Sequence, residues 1–469
     1  MVLYNTLSKK IEEFVPYEEG KVRMYTCGPT VYHFAHIGNL RSYIMEDVLE
    51  KFLRYAGYDV TRVMNITDVG HLSSDADTGE DKMLKGAKRE KKTVMEIAQF
   101  YTEAFFKDCE KLNIKRPDVV EPATNCIDEF IHMIEVLLEK DYAYKAGENI
   151  YFDTSKVADY YALTGHNEEE LMVGVRDDVE EDTNKRNKSD FVLWFTKSKF
   201  ENQELKWDSP WGVGYPGWHI ECSCIAAKHL GEYLDLHCGG VDNIFPHHTN
   251  EIAQSEAFFG HGWCKHWFHV QHLNEKGGKM SKSKGDFLTV SLLEQKGYNP
   301  LVYRMFCLQS HYRKPLEFSY DVLDNVAAAY QKLVARIKNL KAEGEVDRTK
   351  VEEYRQKFID AVGNDLNTSS GLTALYDMLK GDMNDATKLA LVEDYDLVLS
   401  LGLMSAREEA PAEAHDDELV SYIEAKIAER KAAKKAKDFA AADAIRAELL
   451  EKGIVLKDTR EGTLWEKVQ

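Results

Sequence analysis

The chain has 469 residues, 44% of them apolar and 30% charged, with a formal net charge of −20. That length is too great for one core and points to about two to four domains, while the acidity excludes a polyanion binder that works by global charge alone. No run approaches the ~18–20 continuous apolar residues of a membrane span, and the opening MVLYNTLSKKIEEF lacks the apolar core of a secretory signal. A cytoplasmic protein with no membrane partner is expected. Its cysteines, at 27, 109, 126, 222, 224, 238, 264 and 307, then read as thiols or metal ligands rather than disulfides.

In chain order, VRMYTC (22–27) reads as a strand and GPTVYHFAH as a tight polar-aromatic turn. Residues 37–56 read as an amphipathic helix, with Leu40, Ile44, Val48, Leu49, Phe52 and Leu53 at helical spacing and Gly57 placed to end it. DVTRVMNIT (59–67) reads as a second strand. Strand, helix, strand indicates a parallel α/β unit that binds ligands beyond the carboxyl ends of its strands. Residues 116–215 break this rhythm with a helix at 126–140, a strand at 148–154 and a long acidic stretch. The α/β pattern resumes with helix 218–230, strand 233–238, helix 246–259 and strand 266–273. Helices follow at 320–342, 350–363, 368–381 and 385–401, then a Glu/Ala/Asp-rich linker at 406–418 and a small last unit. The basic run KIAERKAAKKAK (426–437) reads first as a solvated helix face.

Two short motifs carry chemistry. HIGN, His36 to Asn39, stands where the first turn meets the long helix, and a helix N-terminus suits phosphate. Gly38 lets backbone approach a ligand closely, and His36 can donate to a phosphate oxygen. KMSKS, Lys279 to Ser283, sits in the cationic, glycine-hinged stretch KGGKMSKSKGDFL. Its two lysines can close over a triphosphate and hold the charge that develops as pyrophosphate leaves.

HIGN followed by KMSKS is the mark of class I aminoacyl-tRNA synthetases. CGPTVYHFAHIGNLR, GWHIECS, FPHHTNEIAQSE and KMSKSKGD together resemble the cysteinyl-tRNA synthetase family. The resemblance extends through DFVLWF (191–196) to the tail DFAAADAIRAELLEKGIVLKDTREGTLWE. It implies an α/β fold with a Rossmann-like parallel-sheet catalytic domain in two halves, 1–115 and 216–275, divided by a connective insertion at 116–215. A KMSKS and stem-contact segment (276–320), a helical anticodon-binding bundle (321–405), the linker 406–418 and a small C-terminal domain (419–469) would follow. The implied activity is ATP-dependent ligation of L-cysteine to its cognate tRNA through a cysteinyl-adenylate, with Mg²⁺ accompanying ATP, by a monomer.

The resemblance also assigns residues. His36, Asn39, Lys279 and Lys282 would be catalytic, and with Gly38 would bind ATP. Thr30, Thr67, Trp218, His237 and Asp242 would line the cysteine pocket, Asp242 taking the ammonium group. One Zn²⁺ per chain, held by Cys27, Cys222, His247 and Glu251, would bind the substrate thiolate. Spacing alone does not make these a site, because an ordinary buried cysteine is the default for Cys27 and Cys222. The physical reason for zinc is selectivity, since shape separates cysteine from serine by only ~1–3 kcal/mol. Four protein ligands usually close a zinc site, so the thiolate would enter as a fifth ligand or loosen one, with Glu251 the candidate.

Other patterns carry less. GVGYPG (212–217) fits G-x-G-x-x-G but follows a Trp/Pro loop, which argues against a dinucleotide site. Cys224 reads as core, and His261, His266, His269 and His272 as strand and surface histidines. Asn39 stands where many family members carry His. Lys82 and Lys85 resemble a two-lysine motif of some members, without a role that can be carried over. The rival readings are a tRNA-independent cysteine ligase acting on an amino sugar and a catalytically dead zinc-binding regulator.

Overall fold

The computed structural model describes residues 1–69, 93–165, 182–197, 205–275, 278–279, 287–408, 425–431, 433–434, 438–451, 454–458 and 463–467. They fall into two units, Met1–Met404 and Ser405–Gln469. No described helix is long and apolar enough to cross a membrane.

The larger unit opens with a hairpin, β1 (Val2–Asn5) and β2 (Lys10–Glu13), followed by β3 (Lys21–Thr26). Helix α1 (Ile37–Tyr55) and β4 (Asp59–Ile66) complete the strand–helix–strand unit read from the sequence. Gly57 follows α1 with φ +98°, the left-handed conformation that suits glycine and ends a helix. Helix α2 (Val94–Lys111), absent from the sequence reading, starts with a reciprocal cap between Thr93 and Glu96. It leads to β5 (Val119–Pro122).

Strand β5 moves one expected boundary. The insertion was expected to begin at 116, yet Val119–Pro122 pair parallel to β4 as the edge of the main sheet. Four half-buried residues ending in proline give no alternation to read, and proline is tolerated at a sheet edge. The inserted segment therefore starts after β5. It comprises α3 (Ile127–Glu139) and the strands β6 (Ala143–Ala146), β7 (Asn149–Phe152), β8 (Phe191–Phe195) and β9 (Tyr215–Pro216), paired antiparallel in that order.

The α/β pattern then resumes with α4 (His219–Leu230), β10 (Leu234–Gly240), α5 (Thr249–Phe259) and β11 (Cys264–Val270). Helix α5 starts three residues later than the periodicity predicts. Phe245 is extended (φ −138°, ψ 133°) because the following Pro246 disfavours a helical residue before it. Phe130, Ile134 and Leu137 of α3 share a core with Ile220 and Ile225 of α4, so the insertion is seated on the second half of the sheet domain.

The five-stranded sheet runs β11–β10–β3–β4–β5 with every pairing parallel. Chain order reverses between β3 and β10, and ligands of such sheets lie beyond the carboxyl ends of the strands at that switch point. Beyond β11, β12 (Leu273–Glu275), β13 (Gly278–Lys279) and β14 (Leu316–Phe318) form a small sheet, with α6 (Val290–Gln295) and α7 (Pro300–Leu308) between β13 and β14. Four helices follow, α8 (Tyr320–Lys338), α9 (Arg348–Val362), α10 (Thr368–Lys380) and α11 (Asp385–Leu399), each close to its expected range. The chain then enters α12 (Leu403–Glu408). The smaller unit holds α13 (Phe439–Glu451) and an antiparallel hairpin of β15 (Ile454–Asp458) and β16 (Thr463–Lys467).

Two buried arginines join these parts. Arg41 of α1 donates to the carbonyls of Gln271 and His272 (both 2.6 Å) and of Lys314 (2.7 Å), tying α1 to the segments around β12 and β14. Arg304 of α7 donates to Asp47 of α1 (2.7 Å), to the Leu399 carbonyl at the end of α11 (2.7 Å) and to the Leu112 carbonyl after α2 (3.0 Å). Replacing Arg304 with Met should destabilise the protein by about 3 kcal/mol, the lower end for breaking a buried pair. Lys51 still reaches Asp47 at 2.8 Å and softens the loss. Urea unfolding of the two forms measures it.

Candidate metal and nucleotide site

The N-terminus of α1 meets the ends of the lysine-rich loop. His36 is the N-cap, its Nδ1 accepting from the Gly38 N–H at 3.0 Å. That bond leaves the proton on Nε2, where the imidazole can donate to an anion. A Cβ on Gly38 would stand 3.2 Å from the same Nδ1 and crowd the cap. The strand entering the loop, β13, pairs with β12 through Asn274 and Lys279. The segment leaving the loop bonds α1 directly, the Leu288 carbonyl accepting from the Ile37 N–H at 2.9 Å. Lys279 is thus located by its backbone next to the α1 terminus, whereas Lys282 and the pair Lys82 and Lys85 lie outside the described residues. Asn39, on the exposed first turn of α1, reaches the wall of a cavity of about 410 Å³.

The cavity lies beyond β3 and β10. Its walls include Thr30, Asn39, Thr67, Trp218 and Asp242, with Cys27, Cys222 and His247 at one side. Thr30 and Thr67 are bridged through their backbones, and the Thr67 hydroxyl donates to Glu221 at 2.8 Å. Gly28 is required here, because a Cβ on it would fall 1.6 Å from the Asn65 carbonyl oxygen. That approach lets the Gly28 N–H donate to Asn65 Oδ1 at 2.7 Å. Asp242 is exposed, lying just past the end of β10. His237, expected in the pocket, does not line the cavity. It is fully buried and donates from Nε2 to Glu251 Oε2 at 2.8 Å.

Cys27, Cys222, His247 and Glu251 come from the residue after β3, α4, the turn before α5 and α5, yet their donor atoms all lie within 4.8 Å of one another. The Cys27 and Cys222 sulfurs are 3.8 Å apart, Cys222 Sγ and His247 Nε2 3.5 Å, and His247 Nε2 and Glu251 Oε1 3.0 Å. Bonds of about 2.3 Å to sulfur and about 2.0–2.1 Å to nitrogen in a tetrahedron give edges of about 3.8 and 3.6 Å. The fully buried Oε1 accepts no hydrogen bond of adequate geometry, as an oxygen reserved for a metal would not. Two sulfurs, one imidazole and one carboxylate form a donor set that suits zinc. The second coordination layer is also built. His237 holds Glu251, His219 lies 3.0 Å from His247 Nδ1, and Trp218 stacks on the His247 ring at 4.2 Å. Glu251, the ligand expected to loosen, is therefore braced from behind.

Charge in this cluster is set against strong burial. Burial raises the Glu251 carboxyl, yet His237 and His247 overcome it and bring it down to about 2. Burial lowers His247, but Glu251 and Cys222 lift it to about 10. Burial, reinforced by the contact with Cys222, pushes the Cys27 thiol well up. Cys222 is lowered against its burial by Cys27 and His247. Of the two thiols, Cys222 is therefore the more readily ionised.

Several site residues escaped the sequence reading. His248 lies with Nε2 3.2 Å from Cys27 Sγ and Nδ1 2.8 Å from His269 Nε2, and His269 continues to the Thr6 hydroxyl at 2.8 Å. His269, expected as an ordinary strand histidine, thus belongs to a chain leading to the cluster. The doublet His247–His248 was the available signal, but nothing in sequence tells which ring reaches which neighbour. Glu46 of α1 also lines the cavity. Burial lifts its carboxyl to about 7 in spite of Arg62, 3.4 Å away. The glycine-rich GVGYPG forms close strand contacts instead of a phosphate cradle, a Cβ on Gly214 or Gly217 falling 2.1 Å from the Phe195 and 2.0 Å from the Val192 carbonyl oxygens. Cys224 points away from the cluster to Met133 Sδ at 3.6 Å.

Residues 13–328 match the family model described as "tRNA synthetases class I (C) catalytic domain". The chain is 44% identical to the cysteine--tRNA ligase of Treponema denticola over 99% of each chain. It is 44% identical to that of Borreliella afzelii over 98% of each, and 40% identical to that of Chlorobium chlorochromatii over 99% of each. Among solved structures, Mycobacterium tuberculosis methionyl-tRNA synthetase with methionyl-adenylate shares the fold, with a TM-score of 0.54 at 15% identity over 82% of this chain and 91% of that one.

Replacing His237 with Ala leaves all four donors in place but removes the brace on Glu251. It should weaken zinc affinity by about 10- to 100-fold, as measured by competition with a chromophoric chelator.

Proposed function

We propose roles for the site residues on the premise that the chain belongs to the class I cysteinyl-tRNA synthetase family. The enzyme ligates L-cysteine to its cognate tRNA at the expense of ATP, through a cysteinyl-adenylate. Relatives carrying that name match almost the whole chain, which leaves no support for a tRNA-independent ligase.

In the first step the cysteine carboxylate attacks the α-phosphorus of ATP. A new O–P bond forms as the bond to the bridging oxygen breaks, and pyrophosphate leaves with the electron pair. His36 donates from Nε2 to a phosphate oxygen at the positive end of the α1 dipole, whose Gly38 and Asn39 N–H groups are engaged by His36 itself, while Asn39 lines the cavity beside the same charge. Lys279 and Lys282 neutralise the departing pyrophosphate, and Mg²⁺ accompanies the ATP. Asp242 takes the substrate ammonium group, while Thr30, Thr67 and Trp218 enclose its side chain. His237 serves beneath the pocket by holding Glu251. In the second step a ribose hydroxyl at the tRNA 3′ end attacks the adenylate carbonyl, and AMP leaves. Positioning and electrostatics suffice for both steps.

Cys27, Cys222, His247 and Glu251 would hold zinc. Bound there, it supplies an affinity for thiolate that a hydroxyl lacks, which selects cysteine over serine. The observation that carries the assignment is the meeting of three features around one cavity: the capped α1 terminus, the two ends of the lysine-rich loop and the four-donor cluster. Residues 321–405 would bind the anticodon. A cytoplasmic monomer is proposed.

Incubation with ATP, Mg²⁺ and a total tRNA pool should attach labelled cysteine to a single acceptor and leave serine unattached. Stripping zinc with a chelator should reduce the preference for cysteine over serine to the roughly 10- to 200-fold that shape alone allows, and zinc should restore it. Unchanged selectivity in the stripped enzyme would refute the zinc assignment.

A further inference from the structure

Asp365 is buried in the turn between α9 and α10. Its Oδ1 accepts from the Tyr4 N–H of β1 at 2.8 Å and from the Tyr312 hydroxyl at 2.7 Å. Its Oδ2 accepts from Arg313 Nε and Nη2 at 2.8 and 2.5 Å, with His311 Nε2 at 3.5 Å. The backbone is strained to hold the carboxylate there. Asp365 has φ +61° and the buried Leu366 has φ +48°, left-handed values that a leucine rarely adopts. Such strain persists only where the surroundings over-determine it, and it marks a position worth a functional explanation.

The segment 311–314 has two faces. Its carbonyls turn toward the sheet domain, that of Tyr312 accepting from the Gln271 N–H at 2.9 Å and that of Lys314 from Arg41 of α1 at 2.7 Å. Its side chains His311, Tyr312 and Arg313 turn toward the four helices and meet on Asp365. The Tyr312 ring also packs on Phe268 of β11, with centroids 4.3 Å apart. The Asp365 N–H completes the tie by donating to the Val2 carbonyl of β1 at 3.0 Å. Apolar packing of the helices on α1 is non-directional. A carboxylate with directed partners on β1 and on 311–314 sets the angle at which α9 and α10 leave the sheet domain. Helix α9 has 15 residues and is therefore about 22 Å long, so a tilt of about 5° at this turn would carry its far end about 2 Å. At that far end residues 341–349 are exposed.

We propose that Asp365 is a positioning residue for tRNA: it sets the direction of the four helices so that a tRNA held at its anticodon brings its 3′ end to the adenylate. The inference rests on the anticodon-binding reading of residues 321–405 above. Asp365 touches no substrate. It acts through Tyr312 and Arg313, whose segment is fixed to the same α1 that carries the His36 cap. A substrate gripped at two distant points reacts well only if both grips agree, and a misplacement of about 1 Å can cost about 100-fold in rate.

The experiment compares charging of the cognate tRNA with charging of the same tRNA carrying a substituted anticodon. Asp365→Asn keeps the shape of the side chain but removes the charge that holds Arg313, and Tyr312→Phe removes one partner without altering the turn. In both variants cysteine-dependent ATP–pyrophosphate exchange should stay within about twofold of wild type. Charging of the cognate tRNA should fall in kcat/KM by about tenfold or more in Asp365→Asn, and in the same direction but less in Tyr312→Phe. The substituted tRNA already lacks the anticodon contacts and should lose much less, so the preference for the cognate anticodon shrinks. A merely structural role predicts something else, namely exchange and both tRNAs falling together, and that result would overturn the proposal. So would an anticodon preference that stays at the wild-type value in both variants. Where Asp365→Asn does not fold, Tyr312→Phe decides by the same comparison. A wild-type enzyme that charges both tRNAs equally would instead overturn the anticodon-binding reading of the helices.

Discussion

The crevice between β3 and β10 is the constraint on which the site depends. Both strands run parallel in the middle of the sheet, but the helices that follow them leave toward different neighbours. Their carboxyl ends therefore part, and the backbone beyond them is free to carry ligands. Cys27 follows β3 directly, while β10 ends at Gly240 with Asp242 just past it. The close approach of Gly28 to Asn65 holds the β3 end against β4, so that Cys27 faces Cys222 instead of solvent. A side chain at position 28 would wedge these strands apart, and the four donors could no longer share one point.

The cluster is costly to build without a metal. Burial opposes the charge on Glu251 and His247 and the thiolate form of Cys27. An unpaired buried charge is expensive, and its neighbours must answer it. Here the neighbours do so in layers. His237 braces one oxygen of Glu251, Trp218 covers the face of His247, and His248 links Cys27 through His269 to Thr6. Such a shell fixes the donors before any ion arrives, which limits the rearrangement that binding demands. The same brace restrains Glu251 from swinging away, which disfavours its loss from a metal that the cluster would hold.

Helix α1 links distant parts of the larger unit. Its N-terminus carries the His36–Gly38 cap, and the Leu288 carbonyl beyond the lysine-rich loop docks on it. Arg41 ties its next turn to the carbonyls around β12 and β14, and Asp47 meets Arg304, which also grips the end of α11. Backbone carbonyls receive both terminal nitrogens of Arg41 without bringing in a second charge, while Arg304 combines carbonyls with the Asp47 carboxylate. These two arginines thus hold helices from separate parts of the sequence in one arrangement around α1.

Much of this was legible in the sequence because the information is local. The 3.6-residue periodicity gave α1 and α8 to α11 nearly to their ends, since backbone dihedrals and helix termini depend on neighbouring residues, and the motifs HIGN and KMSKS pointed to the family whose model matches residues 13–328. The family resemblance named Cys27, Cys222, His247 and Glu251, whose spacing alone carried nothing. Strand β5 was not legible, because four half-buried residues ending in proline show no alternation. Nor was the burial of His237 beneath Glu251, or the role of His269, since the sequence does not show which face of a strand meets which ring. The sequence by itself determined the local elements and, through its motifs, the type of reaction. Only the tertiary structure decided which side chains touch, because donors just after β3, on α4 and on α5 come within bonding range of one ion through sheet order and helix packing, neither of which is a property of adjacent residues.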